Sequence, residues 1–320
     1  MKRRLAALDV GSNTVHLLVA TVSDEGTSER RHAVRLLALG RRVAATRELG
    51  PELLHQTAEL VSNLVEQARQ DGAERVGVVG TEAIRNAADG PVLRDQIRER
   101  TREQLRILTG EAEARLSYLG GTSFYVAADA PATVIDVGGG STEIVHGTGS
   151  RPKDGVSLKL GSDRILQITR ADDPPSERQR VDAETRISMV LEEAPAPAIA
   201  GVLIATGGTA ANLPVLLGIW RPFVDSADSL RGEGDHEAWT TLDREAVERA
   251  VGLAMVHSSA ELAMRTGLSP ARSRLMAGGV LVLRGLLEHF QAEELVVTER
   301  GLRDGVLLRL AATPPHPPAA

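Results

Sequence analysis

The sequence predicts an α/β fold of two similar halves with a ligand cleft between them, and three observations carry that prediction. Strand-like and helix-like runs alternate along the whole chain. A short pattern occurs twice: Asp9-Val10-Gly11-Ser12-Asn13-Thr14-Val15-His16-Leu17-Leu18 returns as Asp136-Val137-Gly138-Gly139-Gly140-Ser141-Thr142-Glu143-Ile144-Val145. A third glycine turn, Gly207-Gly208-Thr209, again follows an apolar run. Each copy of the pattern is an apolar run, an acid, a Gly/Ser turn and a second run rich in β-branched or Leu residues, which reads as a β-hairpin with a tight turn.

The elements follow in order. Leu5 to Val22 is strand and hairpin, followed by a variable stretch with basic clusters at Arg30-Arg31-His32 and Arg41-Arg42. Gly50-Pro51 opens a helix whose apolar face is Leu53, Leu54, Thr57, Ala58, Leu60, Val61, Leu64, Val65 and Ala68, and Asp71-Gly72 closes it. Val76 to Val79 is a short buried strand, Val92 to Glu103 a charged helix, Gln104 to Leu108 a strand, and Glu111 opens the next helix. Ala127 to Pro131 is a small-residue junction that sets the boundary between a domain over 1–129 and one over 130–320. The second half restarts with a strand from Ala132 to Val137 and the repeated hairpin. Pro174-Pro175-Ser176 opens a helix, and Val202 to Ala205 is a strand. Helices over Asp243–Arg265 and Met276–Phe290, a strand from Glu294 to Val297 and a last helix follow. Thr313 to Ala320 is a Pro-rich tail expected to be disordered.

Composition narrows the function. At 320 residues the chain is long enough for two cores, which with only 2% aromatics must be built from Leu, Val, Ile and Ala. Few aromatics and a net charge of -6 argue against nucleic acid as a partner. Any anion site is therefore local. With no cysteine, a thiolate nucleophile, a disulfide and Cys-ligated zinc are all excluded. No segment approaches the ~20 apolar residues that span a bilayer, so the expected setting is cytoplasmic, away from membranes.

Glycine turns of this kind are nests for phosphate oxygens, since glycine admits positive φ and a close backbone approach to an anion. One Asp-x-Gly-Ser alone is an ordinary hairpin turn. Three such turns facing one cleft make a phosphate site. Asp9, Asp136 and Glu143 flank the turns and would repel phosphate unless a divalent cation lay between, which suits Mg²⁺ or Mn²⁺. The bland reading is that each acid hydrogen-bonds its own turn. His16, His146 and His257 lack metal-ligand spacing and read as core or surface histidines.

These turns resemble the acetate/sugar kinase, heat-shock chaperone and actin superfamily. More narrowly they resemble the exopolyphosphatase / guanosine pentaphosphate phosphatase (Ppx/GppA) family. The narrower likeness also rests on Thr81-x-Ala83-x-Arg85, Gly110-x-x-Glu113-Ala114-Arg115-Leu116, Leu160-Gly161-x-x-Arg164 and Arg300-Gly301-Leu302-Arg303-Asp304-Gly305-Val306-Leu307. The resemblance runs from Leu5 to about Leu310. It implies two actin-like (ribonuclease H-like) domains with an interdomain active-site cleft. It also implies Glu113 as general base, Asp136, Glu143 and Asp9 as metal-associated acids, and phosphate contacts from Ser12, Asn13, Arg85, Gly138, Gly139, Gly140, Ser141, Gly208 and Thr209. Arg164 is a weaker phosphate candidate.

The activity so implied is Mg²⁺-dependent hydrolysis of the terminal phosphate of inorganic polyphosphate. Phosphoryl transfer fits, because it needs positioning, charge neutralisation and an oriented water. Guanosine pentaphosphate is the alternative substrate, a non-catalytic polyphosphate or alarmone sensor the alternative class, and a kinase or chaperone-type ATPase the superfamily's other option. Asp89 stands where the family commonly has Asn, an added negative charge expected to weaken the grip on a long anion. Longer members carry additional C-terminal domains, so short chains are the expected preference. The apolar Met276–Phe290 helix suits the core, with a homodimer face as the other option.

Overall fold

The fold is described from a computed structural model, which covers residues 2–24, 26–124, 126–169, 172–194, 199–220, 231–232 and 239–313. The first half contains β1 (Arg3–Val10), β2 (Thr14–Ser23), β3 (Gly26–Leu36), α1 (Leu39–Thr46), α2 (Pro51–Gln70), β4 (Arg75–Gly80), α3 (Glu82–Asn86), α4 (Gly90–Thr101), β5 (Leu105–Ile107) and α5 (Gly110–Thr122). The second contains β6 (Pro131–Val137), β7 (Thr142–Thr148), β8 (Arg151–Leu158), α6 (Ser162–Thr169), α7 (Glu177–Glu193), β9 (Val202–Thr206), α8 (Gly207–Leu216), β10 (Arg231–Gly232), β11 (Trp239–Asp243), α9 (Arg244–Val256), α10 (Ser259–Thr266), α11 (Pro270–Phe290), β12 (Glu294–Thr298) and α12 (Leu302–Ala312).

Five strands of each sheet repeat one topology, β3-β2-β1-β4-β5 matching β8-β7-β6-β9-β12. The first runs β10-β3-β2-β1-β4-β5 and the second β11-β12-β9-β6-β7-β8. In each, a leading strand pairs antiparallel with its hairpin partner and parallel with the next crossover strand. Register matches as well: Asp9 lies opposite His16 and Asp136 opposite Glu143. Leu5, Ala6, Ala7 and Leu8 are all buried, because helices cover both faces of the sheet and the alternation of a half-exposed strand disappears.

Two helices are exchanged between the halves. α5 leaves the first sheet and buries Ala114 and Tyr118 against Val134, Val145 and Ile204 of the second. α12 returns to pack Leu302, Val306 and Leu307 on Leu5, Ala7, Leu18 and Ala20 of the first. The two helices meet through glycines: a Cβ at Gly120 would strike the Gly301 carbonyl, and one at Gly305 the Leu116 carbonyl. Deep inside this junction Arg30 pairs with Asp304, both side chains fully buried.

Most expected elements are present, with some differences. The variable basic stretch contains β3, which carries Arg30, Arg31 and Arg35, and α1, which carries Arg41 and Arg42. The single helix expected over Asp243–Arg265 is two, because Ser258 and Glu261 form a capping box that starts α10 anew. α11 is core: Met276, Val280, Leu281, Leu283 and Leu287 sit in the main cluster of the second half. Apart from Thr313, the tail lies outside the described residues. Among the described residues no helix is long and apolar enough to cross a membrane.

Candidate active site

The two hairpin turns share one construction. The Gly11 N–H donates to the Thr14 carbonyl and the Gly138 N–H to the Ser141 carbonyl, each at 3.0 Å. The turns press against each other across the cleft. A Cβ on Gly139 would run into the Asn13 amide, and one on Gly140 into the Glu82 carboxylate and towards the Ser12 hydroxyl. Close approach is thus what demands glycine here, since neither turn has a glycine at positive φ. Positive φ occurs at Gly207 (89°), where β9 enters α8 beneath Asp136. The third glycine turn is therefore a helix start, and its first-turn N–H groups are orphan donors suited to an anion.

A cavity of about 470 Å³ lies between the halves. Its wall includes Asp9, Ser12, Asn13, Glu113, Asp136, Gly138, Gly139, Gly140, Ser141, Glu143, Gly208 and Thr209, so residues distant in sequence converge on one space. Thr209 contributes from α8, with its side chain against Gly279 of α11. Arg85 is not brought to the cavity wall. Its Nη1 donates to the Leu108 carbonyl at 2.6 Å and to Glu113 Oε2 at 2.9 Å, placing it behind the glutamate. Glu113 stands in the first turn of α5, which the Thr109 hydroxyl caps by accepting the Ala112 N–H at 3.2 Å.

The acids are desolvated and crowded. Glu113 is 6% exposed and Glu143 1%. Burial, reinforced by Glu143, raises the Glu113 carboxyl well above its ordinary range despite the pull of Arg85. Burial and then Asp136 do the same to Glu143, and burial raises Asp136. Asp9 is pushed up to about 7, by burial against the opposing pull of Arg303. Ser157 donates to Glu143 at 2.6 Å and Ser117 donates to Asp136, which fixes both carboxylates. Asp9 Oδ1 is enclosed without a hydrogen bond.

All-oxygen donors in excess of local positive charge, with one oxygen orphaned, fit a hard divalent cation. Among the described residues no cluster of three or more acids or histidines forms a ready cage. Such an ion would complete its shell with phosphate oxygens and water, as Mg²⁺ commonly does.

Sequence reading had left several wall residues unassigned. His16 lines the cavity opposite Asp9, although its spacing had marked it as a core or surface residue. Arg272 and Arg303 line it too; neither guanidinium makes a hydrogen bond or close ion pair among the described residues, and Arg303 acts on Asp9 through its charge. Arg303 belongs to the noted Arg-Gly-Leu-Arg motif, so its position was visible although its role was not. Arg272 carried no signal. Arg164 donates from Nε to the Gly140 carbonyl at 2.5 Å and pairs with Glu82. Asp89 does not line the cavity: its two oxygens accept the Leu49 and Gly50 N–H groups at 2.9 and 2.8 Å.

The chain is similar to known proteins along most of its length. The model of the Ppx/GppA phosphatase family matches residues 21–313. Exopolyphosphatase 1 of Mycobacterium tuberculosis is 28% identical over 316 residues, covering 96% of this chain and 88% of its own length. Exopolyphosphatase 2 of the same organism is 28% identical over 328 residues, covering 96% and 98%. The crystal structure of the Aquifex aeolicus Ppx/GppA family member superposes with a TM-score of 0.79 at 24% identity, over 97% of this chain and 98% of that one. The shared fold is the two-domain actin-like one.

Proposed function

The chain belongs to the Ppx/GppA phosphatase family, and from that premise we propose that its cleft removes the terminal phosphate of inorganic polyphosphate, short chains above all. The observation that carries the proposal is Glu113. It is a buried carboxylate at the cavity wall, oriented by Arg85 at 2.9 Å, facing glycine turns from both halves. The exopolyphosphatase relatives, similar along almost the whole chain, support the substrate class.

In the proposed reaction the Ser12 and Gly138–Ser141 turns hold the terminal phosphate by backbone N–H groups and hydroxyls, and the Gly208–Thr209 turn holds the phosphates next to it. Water attacks its phosphorus in line with the bridging oxygen. The water proton passes to Glu113, the P–O–P bond breaks, and the shortened chain leaves on the bridging oxygen. Burial raises the proton affinity of Glu113, and the ionised form that accepts the water proton would be favoured by a divalent cation beside it. Arg85 orients the base from behind, holding Glu113 while anchored on the Leu108 carbonyl. Mg²⁺ or Mn²⁺, held by Asp136 and Glu143 with Asp9 beside them, would supply the positive charge that offsets the phosphates. The donors of the cavity serve a few terminal phosphates, hence the preference for short chains.

Guanosine pentaphosphate is the second reading. It is favoured by the extension of the same cavity to Val215, Leu268 and Arg272, an apolar wall with one cation. Phosphate release with Mg²⁺ from short polyphosphate, long polyphosphate and guanosine pentaphosphate, measured in parallel, separates the readings. Turnover of polyphosphate supports the first and turnover of the nucleotide alone the second. Binding without turnover of any of them would make the chain a sensor.

A further inference from the structure

Glu82 occupies a place that suits an anion. It is the first residue of α3, in the first half, and it is 8% exposed. Its Oε2 accepts the Ser12 hydroxyl at 3.2 Å and lies so close to Gly140 that a Cβ there would overlap it. Its Oε1 accepts the Asn86 amide at 2.6 Å and pairs with Arg164, which also holds the Gly140 carbonyl. One carboxylate thus bridges the two hairpin turns and engages the Ser12 hydroxyl and the Arg164 guanidinium. Those are donors that a phosphate in the same turns would use. A side chain needed only to pair with Arg164 would have no reason to reach Ser12 and Gly140 as well.

Resting on the reading that these turns bind the terminal phosphate, we propose that Glu82 is a specificity-determining residue. Its carboxylate is an internal competitor that keeps single phosphate ions out of the turns and yields to condensed phosphates. Orthophosphate offers one anion to displace another, and it meets a like charge in a desolvated site, where repulsion is strong. A polyphosphate reaches further, to the N-terminus of α8 and to the unpartnered Arg272 beside Gly208, and that surplus moves the carboxylate aside. Once the terminal bond is cut, the freed phosphate has lost those distant contacts. The returning carboxylate then favours its release, so the enzyme resists inhibition by its own product.

The test is binding of inorganic phosphate in Mg²⁺ to the full chain and to Glu82→Gln and Glu82→Asp, measured by calorimetry. Phosphate inhibition of polyphosphate hydrolysis is followed in the same proteins. Glu82→Gln should bind phosphate at least about tenfold more tightly and be inhibited correspondingly more, while Glu82→Asp stays within about threefold of the parent. A gain in affinity is not what structural damage produces. Glu82→Ser, small and neutral, must show the same gain, and it replaces Glu82→Gln should that variant fail to fold. Unchanged or weaker binding by the folded neutral variants overturns the proposal and leaves the phosphate site intact. Equal tightening by Glu82→Asp also overturns it, because charge would not be the cause. Binding by none of the proteins, with no phosphate released from any substrate, overturns the reading of the turns and the proposal with it.

Discussion

Replacing Glu113 by Gln removes one proton acceptor and little else. The amide keeps the side chain's length and leaves a carbonyl oxygen for Arg85, which in any case stays anchored on the Leu108 carbonyl. Substrate binding should therefore change by no more than about threefold in KM. The loss falls on kcat. A positioned general base contributes roughly 10²–10⁴ in rate, which at about 1.4 kcal/mol per decade is a barrier increase of about 3–5 kcal/mol. The upper part of that range is expected, because at 6% exposure bulk water has little access to stand in for the missing carboxylate. Stability should move the other way. Glu113 and Glu143 disfavour each other's ionisation, so the neutral side chain leaves the metal-free protein at least as stable as before. Phosphate release from short polyphosphate gives kcat and KM, and a thermal melt gives the midpoint. A kcat within about threefold of the parent would refute the role of Glu113 as base. A lost rate with a parallel fall in melting temperature would reduce it to a structural residue.

Metal and pH should act together on stability. Asp9 holds its proton in the folded state up to about 7 but releases it near 3.8 when unfolded, and Asp136, Glu143 and Glu113 are shifted in the same direction. The folded state therefore binds more protons, the contribution is complete below about pH 3.8, and stability falls as pH rises towards 7. With a chelator the midpoint should be lower at pH 8 than at pH 5, and Mg²⁺ should raise it more at pH 8; equal rises would contradict this. Ser157→Ala removes the donor that fixes Glu143 and should weaken Mg²⁺ binding about 10–100-fold by titration calorimetry, with the melt of the metal-free protein nearly unchanged. Asp304→Asn removes the carboxylate that pairs with buried Arg30 and accepts the Gly301 N–H at the start of α12, and should cost about 3–5 kcal/mol in denaturant unfolding; a cost below about 1 kcal/mol would show that the pair is replaceable.

Short-range chemistry was legible in the sequence. The duplicated hairpin, with an acid at the same register in both copies, follows from local pattern alone, and so does the helix start that carries Glu113. The partners of those residues were not legible. Ser117 and Ser157 are unremarkable in sequence, and each matters only because α5 and β8 bring it to an acid. Glycine was read correctly at the turns, but a single chain does not reveal whether it answers to positive φ or to close approach. That was decided by Asn13 and Glu82 arriving from the other half. β3 escaped because its charges interrupt the alternation that marks a half-buried strand, and buried Arg30 meets its counter-charge, Asp304, from distant α12.

The exchange of α5 and α12 constrains how the chain folds during synthesis. Leu5 and Ala7 are covered by Leu302, Val306 and Leu307, which follow them far along the chain and are made much later. One face of the first sheet therefore stays open on the ribosome until α12 has emerged. Contacts of such sequence separation carry a loop-closure cost and slow folding. Through that interval a trigger-type chaperone would find an exposed Leu/Ala surface to hold. A chain cut between the halves should yield two fragments that are each insoluble alone and regain structure only when mixed.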